Sequence, residues 1–214
     1  MKSDTWTNEE RAVLDSLDSP DKIQLFLDEC AYNSTTETRS PRFVLSLKRA
    51  HCLEGAIFAA ACLEHIGFKP LVIDLQAVND DDHVIALFKI KGYWGAVAKS
   101  NFTTLRYREP VYRSLRELAM SYFDFYFNTD GDKSLRAYSL PHNLSRFDKI
   151  NWRTTDADLE NIGYFLDKVK HFPLINISHI SQLSRAGKSL LESSLLGSDP
   201  KGLFIPGSKK KTKN

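Results

Sequence analysis

Cys52 stands where a long apolar helix begins in the sequence. A helix beginning there presents unpaired N–H groups and roughly half a positive charge to the sulfur. Both favour the thiolate, the reactive form of cysteine, so Cys52 is the candidate nucleophile for attack on a carbonyl carbon. His83 follows 31 residues later, straight after Asn79-Asp80-Asp81-Asp82, where a strand-like segment begins. An imidazole at a sheet rim can face a helix end and serve as general base. If the next turn centres near Gly92, residues opposite His83 have numbers that sum with 83 to about 183–185. These are Ser100, Asn101 and Phe102. Only the first two can accept an imidazole N–H, and the asparagine carbonyl is well suited to fixing the tautomer. Asn101 is therefore the candidate orienting residue, with Ser100 behind it.

These residues need a buried helix and a sheet to hold them. From Cys52 to Gly67, Leu53, Ala56, Ile57, Ala60, Leu63 and Ile66 share one helical face, and Gly55, Ala56, Ala59, Ala60 and Ala61 permit close backbone approach. The period then changes to two, predicting strands over Pro70 to Ala77, His83 to Lys91 and Trp94 to Lys99. Upstream, Thr7-Asn8-Glu9-Glu10 has the form of a capping box, and Ser19-Pro20-Asp21 starts a second helix. Downstream, Ser114-Leu115-Arg116-Glu117 starts a helix reaching Tyr126, Lys133 to Leu140 reads as a strand, and Thr155 to His171 as a helix.

A cysteine at a helix start, a histidine on one strand and an orienting residue on the next resembles the transglutaminase-like branch of the papain-like cysteine-enzyme superfamily. The residues carrying the resemblance are Arg49-Ala50-His51-Cys52-Leu53-Glu54-Gly55-Ala56, Asp82-His83-Val84-Ile85-Ala86 and Tyr93-Trp94-Gly95-Ala96-Val97-Ala98-Lys99-Ser100-Asn101. It covers about Ser19 to Asn128. The resemblance implies a thiolate that attacks a carboxamide or peptide carbonyl and a histidine that shuttles the proton. It also implies an oxyanion met by the Cys52 N–H and one further donor. The family's third residue is typically an aspartate. No acidic residue lies between Asp82 and Glu109, so Asn101 would fill that place as asparagine does in papain-type enzymes.

Other patterns carry less. Contiguous Asp80, Asp81 and Asp82 read as a solvated acidic turn before a metal site. Gly187-Lys188-Ser189 lacks the first glycine of a phosphate-binding loop, since Gln182 stands there. Arg106-Tyr107-Arg108, with Tyr112-Arg113 and Arg116, could stack on nucleic acid but reads first as arginines paired to neighbours such as Glu109 and Glu117. His51 points away from the Cys52 direction and reads as structural. Cys30, Cys52 and Cys62 are too few and wrongly spaced for a disulfide framework or structural zinc.

The 214 residues suffice for one core, with 42% hydrophobic content. The longest apolar run, Ala56 to Leu63, is far below the roughly 20 residues of a membrane span. The formal charge of +2 depends on Lys209, Lys210, Lys211 and Lys213; without them the remainder is slightly acidic, so nucleic acid is not an expected partner. The start of the chain has no apolar signal segment, and a cytoplasmic protein is expected. The expected fold is α+β, a papain-like, transglutaminase-like core with the Cys52 helix packed on an antiparallel sheet bearing His83 and Asn101. Residues 1–175 would form this domain, and residues 176–214 a helical extension with a disordered Lys-rich tail. The expected function is cysteine-dependent acyl chemistry on a peptide or protein amide, by hydrolysis or transfer to an amine, with no cofactor and no metal. The alternative is a non-catalytic module of the same fold that binds an anionic or peptide partner.

Overall fold

A computed structural model describes residues 6–208 of the chain. The Lys-rich run at 209–214 lies outside the described residues. Helix α1 (Asn8–Ser16) begins at the expected capping box, with Thr7 Oγ1 accepting from Glu10 N–H and the Glu10 carboxylate accepting from Thr7 N–H. Helix α2 (Pro20–Glu29) has proline in its first turn, where no backbone donor is needed. A short parallel pair, β1 (Ala31–Tyr32) and β2 (Arg49–Ala50), flanks α3 (Pro41–Leu47). Helix α4 (Cys52–His65) follows. It is buried over most of its circumference, which is why its sequence is apolar on every side rather than along one stripe.

The main sheet is antiparallel throughout its path. Strands β3 (Leu71–Ala77), β4 (His83–Ile90) and β5 (Tyr93–Val97) lie side by side, and β6 (Arg108–Tyr112) extends the sheet beyond β5. After α5 (Leu115–Phe123), strand β7 (Leu135–Ser139) pairs with the other side of β3. The short β8 (His142–Asn143) also pairs with β3, and after α6 (Glu160–Lys168) strand β9 (His171–Pro173) pairs with β7. Helix α7 (Lys188–Ser194) lies in the C-terminal segment. The β4–β5 turn holds Lys91 at φ 50° and Gly92 at φ 90°, two consecutive left-handed residues that match the twist of a tight hairpin.

Alternation along β4 divides the core. Val84, Ala86 and Phe88 face α4 together with α1, α2, α3 and α6; Ile85 and Leu87 face α5. Phe58 of α4 stacks on Phe26 of α2 at 5.0 Å. Gly55 is required by this packing, because a Cβ there would stand 2.2 Å from Lys99 Cβ. Buried Lys99 in turn donates to the carbonyls of Leu27 and Cys30 where α2 ends, supplying donors that the helix terminus lacks.

The observed elements depart from the sequence expectations in definite places. Helix α3 lies outside the expected elements, although Ser40-Pro41 repeats the Ser-Pro start of α2. The edge strand β6 forms where the sequence suggested only paired arginines, and Arg106 and Arg108 serve the body. Arg106 pairs with Asp28 at 2.9 Å. Arg108 donates to the carbonyls of Thr104, Tyr107 and Ser121 and lies 3.9 Å over the Tyr122 ring. Glu117, expected as an arginine partner, instead accepts from the Arg113 backbone N–H. Helix α5 ends at Phe123, short of Tyr126, and α6 starts only at Glu160. There the Asp158 carboxylate accepts from the N–H groups of Thr38 and Glu160, tying the approach to another loop. No helix among the described residues is long and apolar enough to cross a membrane.

Candidate functional site

Cys52 is the first residue of α4, as its sequence position implies. His51 caps the helix: its Nδ1 accepts from Glu54 N–H at 3.5 Å, and the Glu54 carboxylate returns the bond to His51 N–H at 2.9 Å. Glu54 is 1% exposed, and it also accepts from Asn33 Nδ2 and Arg39 N–H. This carboxylate therefore fixes the helix start against two loops at once. His51 is a positioning residue here, with its other ring nitrogen toward the Glu37 carbonyl at 3.2 Å.

The Cys52 sulfur rests against the backbone where β4 begins, 3.8 Å from the Asp82 carbonyl oxygen. Burial pushes the thiol up to about 12, and the negative charge of Asp81 adds to that; the N–H groups of Val84 and Leu53 pull the other way. Dehydration thus outweighs the favourable helix terminus. Cys30 and Cys62 are buried thiols pushed up by the same cause.

His83 is the first residue of β4 and lies opposite Leu75 of β3. Its side chain has the parity of Ile85 and Leu87, so the ring enters the α5 side of the sheet, edge-on to Tyr122 and Tyr126 at 6.5 and 6.4 Å between centroids. Nε2 lies 2.8 Å from the Leu105 carbonyl oxygen. A carbonyl can only accept, so Nε2 carries the proton and Nδ1 is the basic nitrogen. Burial, reinforced by the positive Arg108, lowers the ring to about 4 against the Leu105 bond, leaving it neutral at neutral pH.

The thiol and the ring thus approach from opposite faces of β4, and both open on one cavity at the end of that strand. Tyr32, Ser100, Asn101 and Tyr126 share its wall, with Gly202, Leu203 and Phe204 from the C-terminal segment. The β4–β5 register sums to 183, through Ala86 with Val97, as the hairpin argument requires. Pairing stops at Val97, however, so Ser100 and Asn101 leave the ladder before reaching His83. Ser100 Oγ accepts from Phe102 N–H at 3.0 Å, and the Asn101 amide is taken up by Asp199, donating to its carbonyl and accepting from its N–H, each at 2.8 Å. The orienting contact expected of Asn101 or Ser100 is made by Leu105, a backbone group that side-chain types cannot reveal.

The acidic turn does not converge. Asp80 accepts from Ser134 Oγ and Asp81 N–H, Asp82 accepts from Ala77 N–H, and the Asp81 carbonyl accepts from Tyr126 Oη. Each aspartate helps to shape the β3–β4 connection beside the thiol. Compared with known protein families and with curated proteins, the chain matches none.

Proposed function

We propose that this chain has a papain-like, transglutaminase-like core and performs cysteine-dependent acyl chemistry on a peptide or protein amide. The reading is supported above all by one observation: the Cys52 thiol and the His83 ring border a single cavity, with the His83 tautomer fixed by Leu105 so that Nδ1 is the base. In the first step the Cys52 side chain turns from the Asp82 carbonyl into the cavity, and the sulfur bonds to the carbonyl carbon while its proton passes to Nδ1 of His83 at the start of β4. The Cys52 N–H, at the helix start, is one donor for the oxyanion. Collapse breaks the carbon–nitrogen bond, His83 returns the proton to the departing amine, and an acyl-thioester remains. Water or an amine then attacks the thioester and passes a proton to His83; the carbon–sulfur bond breaks, the acid or new amide leaves, and His83 returns the proton to the sulfur. Ser100 and Asn101 line the cavity.

A second reading, a non-catalytic binding module of the same fold, is favoured by the Asp82 carbonyl beside the sulfur and by the ring's approach from the α5 side. Alkylation by iodoacetamide between pH 6 and 10, with peptide mapping, separates the two. Acyl chemistry predicts that Cys52 reacts ahead of Cys30 and Cys62 and that His83→Ala slows it at least tenfold below pH 8. Indifference of the Cys52 rate to His83→Ala would leave the binding module standing.

A further inference from the structure

The C-terminal segment crosses the same cavity, and the body holds it by its main chain. Asn101 takes both the N–H and the carbonyl of Asp199. Asn79 Oδ1 accepts from Gly207 N–H at 2.6 Å, and Thr129 Oγ1 makes a longer bond to the Phe204 carbonyl at 3.4 Å. A side-chain amide that takes both backbone groups of one residue recognises main chain rather than residue type, and the chain it holds turns at once into a short 3-10 helix at Pro200–Gly202. Between these anchors, Gly202, Leu203 and Phe204 line the cavity that holds Cys52 and His83. Gly202 lies flat on Tyr32: a Cβ there would stand 2.5 Å from Tyr32 Cε1 and 3.2 Å from Asn101 Nδ2. The segment reaches this place from α7, whose Ser193 and Ser194 carbonyls accept from Thr103 Oγ1.

We propose that Asp199–Gly207 is an intramolecular peptide ligand of the Cys52–His83 cavity. Lifted away, it leaves a site for a peptide that adopts the same short turn, with a glycine seated on Tyr32 and apolar residues following it. The proposal rests on the reading of this cavity as the acyl site, and it gives that site both a substrate class and a resting, closed state. The strap takes the space a substrate needs, and its own wall residues help to keep water from the thiol. Reaction then requires an incoming chain to compete for Asn101 and Asn79.

Two substitutions loosen the strap by different means. Gly202→Leu places a side chain where the Tyr32 ring lies. Asn79→Gly removes the acceptor for Gly207 N–H at a position with φ 55°, which glycine adopts freely. Each is made in the full-length protein, with and without His83→Ala, and its thermal unfolding is followed to establish that it folds. The rate of Cys52 alkylation at pH 8 is expected to rise at least tenfold in each folded variant. Millimolar synthetic peptide Asp-Pro-Lys-Gly-Leu-Phe-Ile-Pro-Gly is expected to slow it again in trans, and the same peptide with leucine in place of its first glycine is not. A wild-type rate in both folded variants overturns the proposal, as does equal protection by both peptides. A rise that is unchanged by His83→Ala supports the strap while overturning the acyl chemistry, so the two failures are distinguishable. Should Gly202→Leu fail to fold, Asn79→Gly alone decides the matter.

Discussion

Acidification tests the placement of His83 directly. The ring's ordinary value of 6.5 falls to about 4 in the folded chain, where it is 4% exposed. A depressed folded value means that the unfolded chain takes the proton first; stability is complete above pH 6.5 and is lost as pH falls toward 4. From pH 7 to pH 4 this single group costs about 3 kcal/mol, and by pH 5.5 about 1 kcal/mol has gone. Asp74 acts in the opposite sense. It is buried on β3 with His171 Nε2 at 2.8 Å, and dehydration raises its carboxyl from 3.8 to about 6 despite that partner. Its raised value favours the folded state at low pH, and the gain is lost as pH rises through 6; over the same descent Asp74 returns about 2 kcal/mol. His171, raised by the same pair, works in Asp74's direction. These contributions offset one another in the wild type. They separate in His83→Gln, whose amide still donates to Leu105 but does not titrate. Urea unfolding at pH 7, 5.5 and 4 is expected to show this variant gaining about 3 kcal/mol on the wild type between the first and last pH. A difference between the two proteins that stays constant with pH would refute the buried, neutral placement of the ring.

Two further substitutions probe the scaffold around Cys52. Gly55→Ala sets a Cβ 2.2 Å from that of Lys99, and is expected to lower unfolding free energy by about 1–3 kcal/mol in urea titrations, because Lys99 is buried and held by the Leu27 and Cys30 carbonyls. Glu54→Gln turns one of two accepting oxygens into a donor among the N–H groups of His51, Arg39 and Asn33, and is expected to cost about 1–3 kcal/mol by the same assay. It should also speed amide hydrogen exchange at the first turn of α4.

The elements with strong periodicity or local caps were legible. Thr7 with Glu10 and Ser114 with Glu117 mark helix starts through short-range bonds that the residue types alone specify. The period-two reading placed β3, β4 and β5 within a residue or two of their ends; β4 is covered on both faces and buried from His83 to Phe88, so its limits are set by the acidic turn before it and the turn at Gly92. Helix α3, beyond its Ser40-Pro41 start, and strand β6 were not legible for a common reason: each is defined by what it meets elsewhere. Arg42 of α3 pairs with Glu10 of α1, and β6 exists only as a partner for β5. The strong internal partners of Arg106 and Arg108 likewise lie at Asp28 and Ser121 rather than at nearby acidic residues, so proximity in sequence gave the wrong acids.

At the site, residue types located the cavity but not its polarity. Cys52 at a helix start and His83 at a strand start are sequence facts, and both reach the same opening. Leu105 as the histidine's acceptor and residues 199–207 as the cavity's cover are products of tertiary structure, without any signature of spacing. The thiol shows most clearly why magnitude matters. A helix terminus stabilises a nearby anion by about 0.3–1 kcal/mol when exposed and by up to about 2 kcal/mol in a partly buried setting. Burial and Asp81 move Cys52 from 9.0 to about 12, a displacement worth about 4 kcal/mol against the thiolate. The dipole is therefore the smaller effect while the strap is in place. A reactive Cys52 requires water or a polar substrate to return to the cavity, and the part of its wall that belongs to a C-terminal segment rather than to the sheet or α4 is Gly202-Leu203-Phe204. On this reasoning the reactivity of the thiol is set less by the helix that carries it than by the occupancy of the cavity in front of it.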